Sequence, residues 1–118
     1  MLRQLAVVSM LAWPLLMAAR PPSVCPYSMN DRPAATRALR TFGTSIETAR
    51  LCKVGKAVID RTVAETLDTY RPCLQQLGMR ADEIDAAMAA GVPDARADYA
   101  KVADPVPWCK AVREAHPE

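Results

Sequence analysis

Apolar residues recur at spacings of three and four along the first half of the chain: Ala35, Leu39, Phe42, Ile46 and Ala49. An α-helix turns every 3.6 residues, so this spacing lines one face and predicts an amphipathic helix over 33–52. Asp31 stands where an N-cap belongs, and Pro33 suits a first helical turn, where the missing N–H costs nothing. Gly43 interrupts the run and costs about 1 kcal/mol relative to alanine. Thr44 and Glu47 have capping-box spacing, so a break at Phe42–Gly43 is an alternative. The stripe crosses that point without changing phase, which favours one helix.

The phase then changes. Continuing the first stripe would bury Lys53, Lys56 and Asp60, whereas a new stripe runs through Ile59, Val63, Leu67, Tyr70, Leu74 and Leu77. A turn at Lys53–Val54–Gly55 accounts for the shift, with glycine ending the first helix. The second helix, 56–77, folds back as an antiparallel hairpin. Pro72 is predicted to kink it or to split it at Arg71, because proline removes a hydrogen bond and crowds the preceding turn. Gly78 and Gly91 bracket a short helix over 81–90 with Ile84, Ala87 and Met88 inward. Pro93 starts another near 94–102. Asp104–Pro107 reads as a turn, and Trp108–Ala115 as a last helical turn or two. The predicted fold is all-α, a small array of four to five helices around an antiparallel hairpin.

The first 19 residues follow a different pattern. One positive charge, Arg3, precedes an uncharged apolar run from Leu5 to Met17, and Ala18–Ala19 follow. This is the order of a secretory signal peptide. The apolar run is shorter than the about 20 residues a membrane span needs. Bulky residues at −3 from either alanine weaken the cleavage pattern, so a retained anchor is the alternative. The expected organisation is a signal peptide at 1–19, an extended leader at 20–32 and one helical domain at 33–118. The expected location is the periplasm or the exterior of a bacterium, with no stable membrane span after cleavage.

That location gives the cysteines a meaning. Cys25, Cys52, Cys73 and Cys109 are an even set in a short exported chain, which argues for two disulfides. The close pairs of a zinc site are missing. In an antiparallel hairpin Cys52 and Cys73 fall at opposite ends, about 1.5 Å per residue apart along the helix, too far to bridge. The favoured pairing is Cys25 with Cys73 and Cys52 with Cys109. A break at Gly43 would instead favour Cys25 with Cys52 and Cys73 with Cys109.

Composition changes the picture little. Half of the 118 residues are hydrophobic and the formal net charge is +2, with both signs interspersed. This leaves no footprint for nucleic acid. His116 is the only histidine and stands close to the end of the chain. Ser45 has no histidine to activate it. Asp82, Glu83 and Asp85 cluster at a helix start, where the helix dipole accounts for them. Met29, Met79 and Met88 lack the clustering of a copper site and suit a core. Neither catalysis, cofactor nor metal is predicted, although paired carboxylates for a small hydrolase are the least favoured option. Trp108, Arg37 and Arg40 are the residues that could form an interaction surface. The expectation is a non-enzymatic interaction or accessory protein of the bacterial envelope, with an unknown protein partner and an undefined oligomeric state. The alternative is a binder of a small apolar or anionic ligand between the first two helices.

Overall fold

The computed structural model describes residues 24–118. The segment read as a signal peptide, 1–19, and the first part of the expected leader lie outside the described residues. A 3₁₀ turn, Tyr27–Met29, precedes five helices: α1 (Arg32–Leu51), α2 (Lys56–Gln76), α3 (Ala81–Ala89), α4 (Val92–Ala100) and α5 (Pro105–Ala115). There is no strand among the described residues. The fold is all-α, and each of the other elements packs against α1.

Helix α1 starts where its cap dictates: Asp31 Oδ1 accepts from the Ala34 N–H at 2.7 Å, a contact worth about 1 kcal/mol. It runs unbroken through Gly43. Both long helices end in the same motif, with the N–H groups just past the last turn folding back onto its carbonyls. After α1, Val54 N–H bonds to Ala49 O at 2.9 Å and Lys53 N–H to Arg50 O at 3.0 Å; after α2, Met79 N–H bonds to Leu74 O at 2.9 Å and Gly78 N–H to Gln75 O at 3.0 Å. The motif needs a left-handed residue. Gly78 supplies it after α2 at φ +71°, whereas Lys53 supplies it after α1 at φ +65°. The expectation that glycine ends α1 is therefore corrected: Gly55, at φ −59°, is the N-cap of α2.

Two proline expectations also change. Helix α2 is not split at Arg71 but continues to Gln76. Pro72 and Asp68, whose carbonyl loses its partner, are both exposed, so water can take the freed acceptor. Asp104–Pro107 is not a turn but the start of α5. The Asp104 carboxylate accepts from the Val106 N–H at 3.0 Å, and prolines in a first turn give up only N–H groups without helical partners. The leader is not simply extended either, since it forms the 3₁₀ turn and buries Met29.

The hairpin is antiparallel, and two apolar clusters run along it. One joins Met29, Ala35 and Leu39 to Leu74, Met79 and Ala87, with Leu67, Tyr70 and Ile84 at its edge. The other joins Ile46, Ala49 and Ile59, with Phe42, Val63 and Val112 at its edge. The disulfides are Cys25–Cys73 and Cys52–Cys109, with Cα separations of 4.6 and 5.0 Å. This is the pairing that hairpin geometry favours. All four cysteines are bonded, which fits an oxidising compartment outside the cytoplasm. Among the described residues no helix is long and apolar enough to cross a membrane.

Backbones also approach closely between α1 and the corner joining α3 to α4. A Cβ on Gly43 would stand 1.9 Å from the Met88 carbonyl oxygen, and one on Gly91 would stand 2.2 Å from the Arg40 carbonyl oxygen. The Thr44 hydroxyl bonds to Gly91 O at 3.1 Å. Gly43 thus loses helix propensity and gains a seat for the α3–α4 corner.

Candidate functional site

The α1–α2 face is built from larger side chains and does not close. Leu39 of α1 packs with Leu67 and Tyr70 of α2, Phe42 lines the same groove, and the neighbouring α1 positions, Ala38 and Thr41, are small. A groove of ≈ 320 Å³ remains, closed at one end by Ser28 and Met29 of the 3₁₀ turn. The Cys25–Cys73 bridge ties that turn to α2. Leu67 also borders a second hollow, of ≈ 270 Å³, on the opposite flank of α2, floored by Leu74, Met79 and Ile84 and rimmed by Arg71, Gln75 and Asp85. The two hollows differ in charge. The second has an arginine and an aspartate at its edge, whereas among the described residues the first is lined by no charged one.

The hydroxyls of the first groove are unusual for this chain. Threonine in a helix can bond back to the carbonyl four residues earlier. Thr36, Thr44, Thr48, Thr62 and Thr69 all do so, at 2.8 to 3.0 Å. The other two of the seven threonines are Thr41 and Thr66. Both line the groove, Thr41 exposed and Thr66 half-buried, and among the described residues neither hydroxyl bonds to another protein group, so both are open to solvent or a ligand. The same holds for the hydroxyls of Ser28 and Tyr70.

The residues singled out in the sequence are dispersed. Trp108 packs on Tyr99 with ring centroids 5.7 Å apart, joining α5 to α4. It adjoins Cys109, bonded to Cys52 at the end of α1, so it lies about 20 Å along that helix from Arg37, at 1.5 Å per residue. Arg37 is exposed. Arg40 is engaged: its Nε and Nη2 bond to the two Asp94 oxygens at 2.6 and 2.9 Å. The hydrogen bond from Arg40 holds the Asp94 carboxyl below its ordinary range; desolvation opposes it in part, and the Arg40 charge adds a smaller lowering effect. These three residues form no single surface.

The remaining candidates have structural partners. Asp82 and Glu83 pair with Arg80 at 3.2 and 3.3 Å. Arg32 pairs with Glu83 and donates to the carbonyls of Leu77 and Gly78 at 3.1 and 2.8 Å, clamping α2 and α3 to the start of α1. Glu47, the buried carboxylate, lies between Arg50 at 3.6 Å and Arg96 at 3.3 Å. Met29 and Met79 are buried in the first cluster. His116 is half-buried, with its N–H on Arg113 O at 3.1 Å. Ser45 donates to Thr41 O at 3.3 Å. No cluster of three or more potential metal ligands occurs among the described residues.

Sequence reasoning passed over Thr41 and Thr66. Their signal was present: each adjoins a stripe residue, Phe42 or Leu67, and so stands at the margin of the α1–α2 interface. No family model, curated protein or solved structure matches the chain.

Proposed function

We propose that this is a non-enzymatic binding protein acting outside the cytoplasm, in the envelope of a bacterium, and that the α1–α2 groove is its binding site. The groove itself carries the reading. Ligand pockets are concave, largely apolar and furnished with a few polar groups, and they begin near 300 Å³. This groove has that size and make-up. The disulfides and the signal-like order of residues 1–19 support the location.

Amide NMR of the oxidised protein, titrated with propylbenzene as a minimal apolar probe, tests the site. Shifts concentrated at Met29, Phe42 and Leu67 support it; scattered or absent shifts at saturating probe reject it. The location is tested by intact mass after purification from the extracytoplasmic fraction. A mass lacking about 19 residues, with no thiol open to alkylation, supports export, and a full-length mass with free thiols rejects it.

A second reading, docking of a protein partner, has its own observation. Tyr27, beside the groove residue Ser28, is 93% exposed, and tyrosine is enriched at interface hot spots. A photo-crosslinker at position 27 should then give a discrete adduct in the envelope fraction, and its absence rejects this reading.

A further inference from the structure

We infer that the groove takes a neutral, ring-containing small molecule bearing a hydroxyl or carbonyl group, held by the free hydroxyls of Thr41 and Thr66. The inference rests on the groove being the binding site and names the class of its ligand.

Charge is the first argument. Nearly a quarter of the chain is charged, yet among the described residues none that lines the groove is charged. A charged ligand would give up hydration there without meeting a counter-charge. A neutral one loses little.

Hydrogen-bonding capacity is the second. Five threonines spend their hydroxyls on their own helix. The two that do not stand on opposite walls of one groove, Thr41 on α1 and Thr66 on α2. A hydroxyl can donate or accept, so the pair serves a ligand hydroxyl or carbonyl equally. Ser28 and Tyr70 add two more at the rim.

Size and shape complete the class. The groove, ≈ 320 Å³, is about twice the roughly 150 Å³ cavity that holds benzene, which suits one or two rings. Phe42 on α1 and Tyr70 on α2 offer aromatic surfaces for edge or offset contact.

Three probes sharing one skeleton provide the test: 4-propylphenol, propylbenzene and 4-propylbenzoate, each titrated into the oxidised protein and followed by amide NMR. The phenol should bind tightest, and the benzoate at least about tenfold more weakly. The isosteric double variant Thr41→Val/Thr66→Val should lower phenol affinity roughly tenfold, to that of propylbenzene, while leaving propylbenzene unchanged. Thr41→Ser/Thr66→Ser, which keeps both hydroxyls, should retain phenol binding and guards against a folding artefact. Equal binding of all three probes in the groove, or an unaffected valine variant, overturns the ligand class while leaving the groove reading intact. Preference for the benzoate overturns it too. Failure of every probe to shift groove amides overturns the groove reading and this inference with it.

Discussion

Helix α1 has two faces that solve the same packing problem in opposite ways. Towards the α3–α4 corner, glycines let backbone meet backbone at Gly43–Met88 and Gly91–Arg40. Towards α2 the contact is made by larger side chains, Leu39, Leu67 and Tyr70 in one cluster and Phe42 in the other. The first face leaves no room for a methyl group; the second leaves a groove of ≈ 320 Å³. A seam made of backbone is intolerant and closed, whereas one made of long side chains is adjustable and can admit a ligand.

The largest effect should come from releasing the open face. The Cys25–Cys73 bridge closes a separation of 48 residues, and a loop of that length restricts the unfolded chain by about 4 kcal/mol. Cys25→Ser/Cys73→Ser should lose close to that in urea denaturation. Hydrogen exchange should quicken at Ser28 and Met29, while Thr44 and Gly91 stay protected relative to the global limit. Uniform loss of protection would show that the two faces are not separable.

Next comes the closed seam. Gly43→Ala drives a Cβ into the Met88 carbonyl, a rigid backbone neighbour, and should cost about 3 kcal/mol despite alanine's better helix propensity. Thr41→Ala, two residues away on the groove side, should change stability by less than about 0.5 kcal/mol. If the two variants unfold at the same urea concentration, the contrast between the faces is wrong. A smaller effect of opposite sign is expected where α1 ends. Lys53 holds φ +65°, a region costly for a residue with a Cβ, and its side chain is exposed. Lys53→Gly should raise stability by about 0.5–1 kcal/mol, measured by the same denaturation.

These contrasts mark how far the sequence could be read. The stripes from Ala35 to Ala49 and from Ile59 to Leu77 disclosed both long helices, because burying one face leaves a 3.6-residue imprint. The hairpin then excluded Cys52–Cys73 by reach and favoured the observed pairs, with the alternative pairing open only if the first helix broke at Gly43. Gly43 was legible only as a helix penalty, since the carbonyl that fills the space beside it comes from Met88, 45 positions later. Lys53 hid its left-handed conformation because the hydrogen bonds of the α1 terminus, rather than residue preference, impose it. Asp104–Pro107 shows the reverse ambiguity: proline-rich turns and helix starts draw on the same residues. A ligand site between the first two helices stood as an alternative, but the hydroxyls that line it were illegible for a further reason. Thr41 and Thr66 have the composition of any helical threonine, and only the absence of the bond back to their own helix sets them apart.

The smallest expected effect separates the faces by pH. The seam is pinned by Arg40 and Asp94 in a two-bond pair, while no described residue lining the groove carries a carboxylate. Asp94 titrates lower when folded than when unfolded, because the Arg40 guanidinium favours its charged form. Its contribution is therefore complete above the ordinary carboxylate range and drains away as pH falls through the lowered folded value. The pair is exposed, so screening keeps the effect small. Asp94→Asn should flatten only that acid-side part of the stability profile, and raised salt should blunt the wild-type slope while leaving the variant's flat. Binding of an uncharged probe in the groove should stay constant over the same acid range, as long as the fold persists. If affinity instead followed the Asp94 titration, the two faces would be coupled through α1, and the seam would have to be treated as part of the binding machinery.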